Sequence, residues 1–241
     1  MKTFTFLLFF FSFILFTNAQ STEYALGFDG TNDYVSIPHQ AFWNIDKVTI
    51  EMWFYWEESV GTDVDFLIGK AVEQFEIHTG GGSGNFGLRF IPTTGVYLDT
   101  EPDIFSQNTW NHIAFIFDPS LSINKCYLNG VEKTLTNRGS RPVTDPIVST
   151  PNEIKLGKRG DLSFSFKGKI DEVRVWNKVR TQGEITDNIY STLTGSESGL
   201  IAYYMMSDGS GTSLSDNSSN NNPGTLINGV SWINSDLPLP V

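Results

Sequence analysis

The chain has 241 residues, of which 27 are Asp or Glu and 16 are Lys or Arg, giving a formal net charge of -11. This acidic balance argues against a nucleic-acid partner, and the single cysteine excludes an internal disulfide. Aromatic residues make up 14% of the chain, beside 22 glycines, and this composition favours many short strands over a helical bundle.

Residues 1–19 have the three-part pattern of a secretory signal peptide. A short basic start precedes an apolar block over residues 4–16, and Thr17-Asn18-Ala19 supplies the small residues of a cleavage site. The alternative, a membrane anchor, is disfavoured because a membrane-spanning helix needs about 20 apolar residues. No later segment is long and apolar enough to span a membrane. We therefore predict an exported protein, secreted or on the cell surface.

Strand patterns recur along the rest of the chain. Residues 48–56 alternate, with aromatic side chains on both faces, which predicts a central strand in a two-layer stack. Asn129-Gly130 is a strong hairpin signal. The predicted strands are 24–29, 34–37, 48–56, 66–69, 74–79, 86–91, 96–98, 110–118, 125–129, 131–135, 154–157, a long strand within 164–176, and 200–205 as the last.

One short helix interrupts the strands. Thr181 can cap its start, with Glu184 three residues later and an apolar stripe behind. No internal linker breaks the pattern, so we expect one domain over residues 20–235. Residues 236–241 alternate leucine and proline, as in an extended linker or tail. The predicted fold is all-β: a two-sheet antiparallel jelly-roll sandwich with one short helix.

Six segments resemble the characteristic motifs of one protein family, and they occur in the same order as in that family. The sequence is similar to laminin-G-like, concanavalin A-like lectin and glucanase domains at residues 25–35, 49–54, 110–114, 127–130, 166–176 and 200–204. The resemblance implies the jelly-roll fold, which hosts lectins, adhesion modules, carbohydrate-binding modules and glycosidases. The tail from Leu237 resembles the linker that precedes a sorting domain in secreted proteins of gliding bacteria. That likeness implies a Bacteroidetes-type surface protein with further domains.

Two aspartates are the candidate metal ligands. Strict alternation places Asp171 on the same apolar face as Val173, where an ionised carboxylate needs a partner. Asp29 ends the first strand, and the carbonyls of Gly30 and Asn32 follow in a turn. If the terminal strands lie side by side, these four residues converge on a structural calcium ion, which takes 6–8 oxygen ligands. The resemblance also implies calcium on terminal strands. The alternative is that Asp29 caps its turn and Asp171 pairs with Arg174 or a lysine.

Aromatic residues are the candidate ligand platform. Most of the tryptophans lie in strongly patterned strands and are expected in the core. Trp43 lies in a loop and is the better candidate for stacking on a sugar, and Tyr97 is a second candidate at the border of a binding face. The three histidines lack the spacing of a zinc site.

No catalytic machinery is recognisable. The Glu-x-Asp-x-x-Glu pattern of laminarinase-type glycosidases is absent, and adjacent Asp171 and Glu172 are expected on opposite faces of a strand. We therefore expect a non-catalytic recognition or adhesion module that binds a glycan or an extracellular protein. The alternatives are a glycoside hydrolase or glycosidase-associated domain, based on the shared fold, and a structural spacer in a larger surface protein.

Overall fold

Two antiparallel sheets make up the computed structural model of the chain, which describes residues 24–57, 64–80 and 87–237. The predicted signal peptide lies outside these residues. The strands, in chain order, are β1 (Tyr24–Asp29), β2 (Tyr34–Ile37), β3 (Val48–Trp56), β4 (Phe66–Gly69), β5 (Glu76–Thr79), β6 (Leu88–Ile91), β7 (Leu98–Asp99), β8 (Trp110–Asp118), β9 (Ile123–Leu128), β10 (Val131–Lys133), β11 (Thr136–Asn137), β12 (Ile154–Leu156), β13 (Lys167–Trp176), β14 (Leu200–Tyr204), β15 (Ser213–Leu214), β16 (Gly224–Ile227) and β17 (Ser231–Asn234).

The strands divide into two layers. Sheet 1 has the order β10-β9-β8-β3-β13-β1-β17, with β14 beside β13. Sheet 2 has the order β11-β7-β6-β5-β4-β12-β2-β16-β15. The predicted two-sheet antiparallel sandwich is confirmed. None of the helices in the part of the chain that the structure describes is long and apolar enough to cross a membrane.

The hydrophobic core lies between the sheets because the strands alternate in burial. Ile50, Met52 and Phe54 of β3 point inward and are at most 1% exposed. Phe90 of sheet 2 and Phe115 of sheet 1 meet with their ring centroids 5.2 Å apart, so the inner faces interlock. Each such fully buried side chain contributes roughly 1.5–3 kcal/mol relative to leaving it in water.

The outer face of sheet 1 is covered by the chain that follows β13. Helix α1 (Gln182–Asn188) begins at Thr181, whose hydroxyl accepts a hydrogen bond from the Glu184 N–H in a capping box, as predicted. Ile185 of the helix packs in a buried cluster with Ala114 and Ile116 of β8. This covering explains why both faces of the central strands are apolar or aromatic.

Two buried arginines fasten this covering segment. Arg180, which follows β13, donates to Glu51 of β3 at 2.5 Å. Arg174 of β13 donates to Glu172 at 2.5 Å and to the backbone carbonyls of Asn188 and Ser191 at 2.8 and 2.6 Å. His112 has its Nε2 at 3.8 Å from the Glu51 carboxylate, but burial holds the pKa of His112 well below its usual range. The ring is therefore neutral, and Arg180 is the cation that compensates Glu51.

A β-bulge in β13 reverses the expected facing of Asp171. Asp171 lies opposite Trp53 and Arg174 lies opposite Glu51. Between these two pairs β13 advances by three residues and β3 by two. Glu172 is the extra residue, with a φ of 51°. The expectation that Asp171 shares the inner face with Val173 is therefore wrong. The expectation that Asp171 and Glu172 point to opposite faces is wrong for the same reason.

The chain also forms strands where none was predicted. The sequence predicts the last strand at 200–205, but β15, β16 and β17 follow it. They are two to four residues long and lie among Gly, Asn and Ser, so alternation has too few positions to show. β17 pairs with β1 and closes the edge of sheet 1 beside Asp29.

Candidate functional site

The outer face of sheet 2 brings together polar and aromatic side chains from several strands. Alternation puts them there because their strand neighbours, such as Ile77 and Phe90, point into the core. Strand pairing aligns one row across β4 to β7, with Phe66 opposite His78, His78 opposite Arg89, and Arg89 opposite Asp99. We call this region the Tyr97 surface. It comprises Phe66, Glu73, Glu76, His78, Arg89, Tyr97, Asp99, Arg159 and Phe164.

Tyr97 lies half-buried at the centre of fixed polar contacts. Its hydroxyl donates to a carboxylate oxygen of Glu73, and this contact is the leading cause that raises the pKa of Tyr97. The guanidinium carbon of Arg89 lies 5.3 Å from the centre of the Tyr97 ring. The ring is thus held in one orientation.

Arg89 is held by a two-pronged ion pair. Its Nε and Nη2 donate to the two carboxylate oxygens of Asp99 at 2.6 and 2.7 Å. The Asp99 side chain is 6% exposed and the Arg89 side chain 23%. A paired and largely buried carboxylate of this kind is a rigid part of the surface rather than a mobile one.

A second group combines stacked rings with a buried acid. The rings of Phe66 and Phe164 stack with centroids 5.7 Å apart, and Arg159 lies over both. Arg159 also donates to Glu76 at 3.2 Å. Glu76 is 0% exposed, and burial raises its pKa despite the nearby arginine. Glu76 therefore supports the surface from below and does not reach solvent.

The turn before β5 positions Glu73 at a cost in backbone strain. Glu73 has a φ of 62° and Phe75 a φ of 51°, a conformation that L residues rarely adopt. Tertiary contacts hold the turn, since the amide of Gln74 donates to the carbonyl of Val148 and accepts from the hydroxyl of Thr150 at 2.5 Å.

Trp43 does not lie on this surface. It is 2% exposed, belongs to the hydrophobic core and packs against Phe42 in a short 3₁₀ turn, Ala41–Trp43. The expectation of an exposed stacking platform is not met, because the turn folds the ring inward. Of the two predicted ligand residues, Tyr97 alone lies on the outer face of sheet 2 with its side chain half-buried.

The predicted metal ligands are not brought together. β1 and β13 are antiparallel, so Asp29 lies opposite Lys167, whereas Leu26 lies opposite Ile170. Asp29 and Asp171 therefore lie toward opposite ends of the paired strands. Asp171 accepts from the Ser235 hydroxyl at 2.8 Å. The set Asp29, Gly30, Asn32 and Asp171 does not fit one calcium ion.

Asp29 has a different carboxylate neighbour. Its Oδ1 accepts from the Thr31 N–H at 2.7 Å, and its own N–H donates to Asp33 Oδ2 at 2.8 Å. Asp33 is 1% exposed, and its Oδ1 has no hydrogen-bond partner within the described residues. Burial raises the pKa of Asp33 to about 6. Asp29, Asp33 and Glu57 line a cavity of about 270 Å³ beside β1 and β13.

In residues 24–57, 64–80 and 87–237, no three His, Cys, Asp or Glu side chains are grouped closely enough to be a metal site by themselves. A cation at Asp29 and Asp33 would therefore need carbonyl or water oxygens in addition. Such ligands are normal for calcium.

A family model described as the concanavalin A-like lectin/glucanases superfamily matches residues 29–186. The chain belongs to this superfamily. No curated protein matches it. Among solved structures, a candidate carbohydrate-binding protein from Bacteroides ovatus is 20% identical, with a TM-score of 0.69 over 91% of this chain and 62% of that one.

Two further structures share the fold. A pentraxin of the SAP-like type from Limulus polyphemus is 14% identical, with a TM-score of 0.51 over 70% of this chain and 82% of that one. The CBM40 module of a Ruminococcus gnavus sialidase, bound to α2,3-sialyllactose, is 13% identical, with a TM-score of 0.50 over 71% of this chain and all of that one. At these identities the likeness shows the fold.

Within this concanavalin A-like domain, sequence reasoning missed most of the Tyr97 surface. A signal was present in β5 and β6, where Glu76, His78 and Arg89 alternate with core residues. Such alternation marks a sheet face that is not covered by apolar packing. It does not show which loops reach that face, so Glu73 and Phe164 could not be found from it.

Proposed function

We propose that this protein is an exported, non-catalytic carbohydrate-binding domain that binds glycans on the Tyr97 surface. The observation that carries the proposal is the half-buried Tyr97 ring, held by Glu73 and flanked by Arg89. Sugar rings present apolar C–H faces and a rim of hydroxyls. A fixed aromatic ring beside charged hydrogen-bonding groups is complementary to both.

The fold comparisons support this proposal in general terms. Two structures that share the fold are named for carbohydrate binding, one as a candidate and one with a bound sialylated sugar. The predicted signal peptide supports export, to the cell surface or beyond, and the Pro-rich tail supports a place in a larger protein. An extracellular protein ligand and a purely structural role are the competing outcomes.

The carboxylates of the surface support a binding role over hydrolysis. A retaining glycosidase needs two accessible carboxyl groups about 5–5.5 Å apart. Glu76 is 0% exposed, and Asp99 is engaged by Arg89 through both oxygens. Glu73 is the remaining half-buried carboxylate of the Tyr97 surface, and one carboxylate cannot act as both acid and nucleophile.

We further propose a structural calcium ion at Asp29 and Asp33, without Asp171 among its ligands. The support is the buried Asp33 Oδ1 without a hydrogen-bond partner, beside Asp29 and a cavity. A bound cation would favour the ionised form of Asp33, whose pKa is otherwise raised by burial. Its role would be to hold the turn after β1, away from the Tyr97 surface.

A glycan array with the chain from Gln20 tests the proposed function. We expect binding by the natural chain and its loss in Tyr97→Ala. The matched control is Tyr190→Ala, since Tyr190 is 46% exposed but lies next to Trp53 on the outer face of sheet 1. Binding that survives Tyr97→Ala, or hydrolysis of the bound glycan, would contradict the proposal.

A further inference from the structure

The cations of the Tyr97 surface are already neutralised by carboxylates of the same chain. Arg89 is paired with Asp99 through two hydrogen bonds. Arg159 lies between Glu76, at 3.2 Å, and Asp161, at 3.6 Å. Both guanidinium groups of the surface are therefore committed before a ligand binds.

The next cation along sheet 2 follows the same pattern. Lys155 of β12 is 5% exposed, and its ammonium group contacts Glu153 at 2.6 Å. A glycan that carries a carboxylate or a sulfate needs an available cation, most effectively an arginine that can offer two parallel N–H donors. A glycan of this kind that approached Arg89 would meet a guanidinium whose charge is already compensated by Asp99, through Nε and Nη2.

Glu73 adds an uncompensated negative charge to the same surface. Its described contact is with a neutral group, the phenol of Tyr97, and none of the described ion pairs includes it. Its negative charge contributes to raising the pKa of Tyr97 and that of Glu76. An anionic sugar that approached Tyr97 would therefore meet a carboxylate rather than a cation.

We propose, on the basis of the proposed function, that the Tyr97 surface selects glycans built from uncharged sugars and rejects sialylated, uronic and sulfated ones. Glu73 accepts hydrogen bonds from sugar hydroxyls, and the Arg89–Asp99 pair presents a neutral edge. The selectivity is set by Asp99 and Glu73, because these two carboxylates cancel or outweigh the positive charge that an acidic sugar needs. It separates this chain from the CBM40 module with its bound sialylated sugar.

Asp99→Asn gives the sharpest test, because the amide keeps the shape of the side chain and removes its charge. The natural chain and the variant are titrated with neutral oligosaccharides and with their sialylated, uronic and sulfated counterparts. We expect the natural chain to bind neutral glycans at least tenfold more tightly than the acidic counterparts. In Asp99→Asn, the affinity for the acidic glycans should rise severalfold because the positive charge of Arg89 is no longer compensated.

Two further variants control the interpretation. Glu132→Gln removes the same charge from the exposed Lys125–Glu132 pair on sheet 1 and should leave the selectivity unchanged. Glu73→Gln leaves the Arg89–Asp99 pair intact and should also reduce the difference in affinity between neutral and acidic glycans. This second variant tests the proposal even if Asp99→Asn does not fold.

The outcomes separate this inference from the proposed function. If the natural chain prefers acidic glycans, or if neither carboxylate variant gains affinity for them, the selectivity is overturned while glycan binding stands. If no glycan of either kind binds, the proposed function fails and the selectivity with it.

Discussion

The Tyr97 hydroxyl donates a hydrogen bond to Glu73, and Glu73 lies in a turn where its own backbone is left-handed, with a φ of 62°. The two residues come from separate turns of sheet 2 and meet only in the folded chain. The contact orders the Tyr97 ring at the place where we propose that the ligand binds.

Tyr97→Phe separates the ring from its hydroxyl. The variant keeps the stacking surface but leaves Glu73 without its donor. We expect glycan affinity to fall by roughly 2–10-fold, against a loss of more than tenfold in Tyr97→Ala, because the aromatic face supplies most of the contact area. Calorimetric titration measures both. Equal losses in the two variants would mean that the hydroxyl, and not the ring, carries binding.

The Arg180–Glu51 ion pair should dominate the stability of the covering segment on sheet 1. Both side chains are at most 3% exposed, so Glu51→Ala leaves a buried guanidinium without its carboxylate. We expect a loss of about 3–5 kcal/mol in the free energy of unfolding, measured by urea denaturation. Glu132→Ala, in the exposed Lys125–Glu132 pair, should cost at most about 1 kcal/mol. Similar losses of unfolding free energy in Glu51→Ala and Glu132→Ala would contradict the dominant role of the buried pair.

His78 should make the fold sensitive to acid. Burial, together with Arg89 and Arg159, lowers the pKa of His78 to about 4, while the unfolded chain binds the proton near its ordinary value of 6.5. The unfolded state therefore takes up more protons between pH 6.5 and 4, and stability is lost as the pH falls through this window. The loss from this one residue is about 2 kcal/mol between pH 7 and pH 5.

His78→Gln is the control for that pH dependence. The variant has no ring to protonate, so its unfolding free energy should change less between pH 7 and pH 5 than that of the natural chain. Identical pH profiles for the two proteins would rule out His78 as the acid-sensitive group.

Calcium binding at Asp33 would be visible in thermal melting. We expect the natural chain to melt at a higher temperature in calcium than in EDTA, and Asp33→Asn to lose this difference. Asp171→Asn should keep it, because Asp171 hydrogen-bonds with Ser235 and lies away from the turn. No difference between calcium and EDTA in the natural chain would end the calcium proposal.

Local pattern was sufficient to predict most of the fold. The strands 48–56 and 110–118 are predicted and observed with the same bounds, because nine residues of alternation leave little ambiguity. The capping box at Thr181 is equally local, since Thr181 and Glu184 lie in one turn of chain. Short strands such as Ser213–Leu214 are set by pairing partners and not by their own residues.

The candidate site was less predictable, because it depends on single backbone conformations and on distant contacts. The positive φ of Glu172 moves Asp171 to the other face of β13, and no sequence rule gives a glutamate that conformation. A similar limit applies to Trp43, whose turn folds it into the core. Tyr97 is predicted from the sequence as a residue at the border of a binding face, but its partner Glu73 is 24 residues away and is not predicted.

Chemical-shift mapping by NMR tests the location of the binding surface most directly. The ¹⁵N-labelled chain from Gln20 is titrated with the best neutral oligosaccharide from the array. We expect the largest shifts at Glu73, Arg89, Tyr97 and Asp99, with little change at Trp110 and Tyr190 on the outer face of sheet 1. Shifts centred on Trp110 and Tyr190, with the Tyr97 surface unchanged, would contradict this expectation.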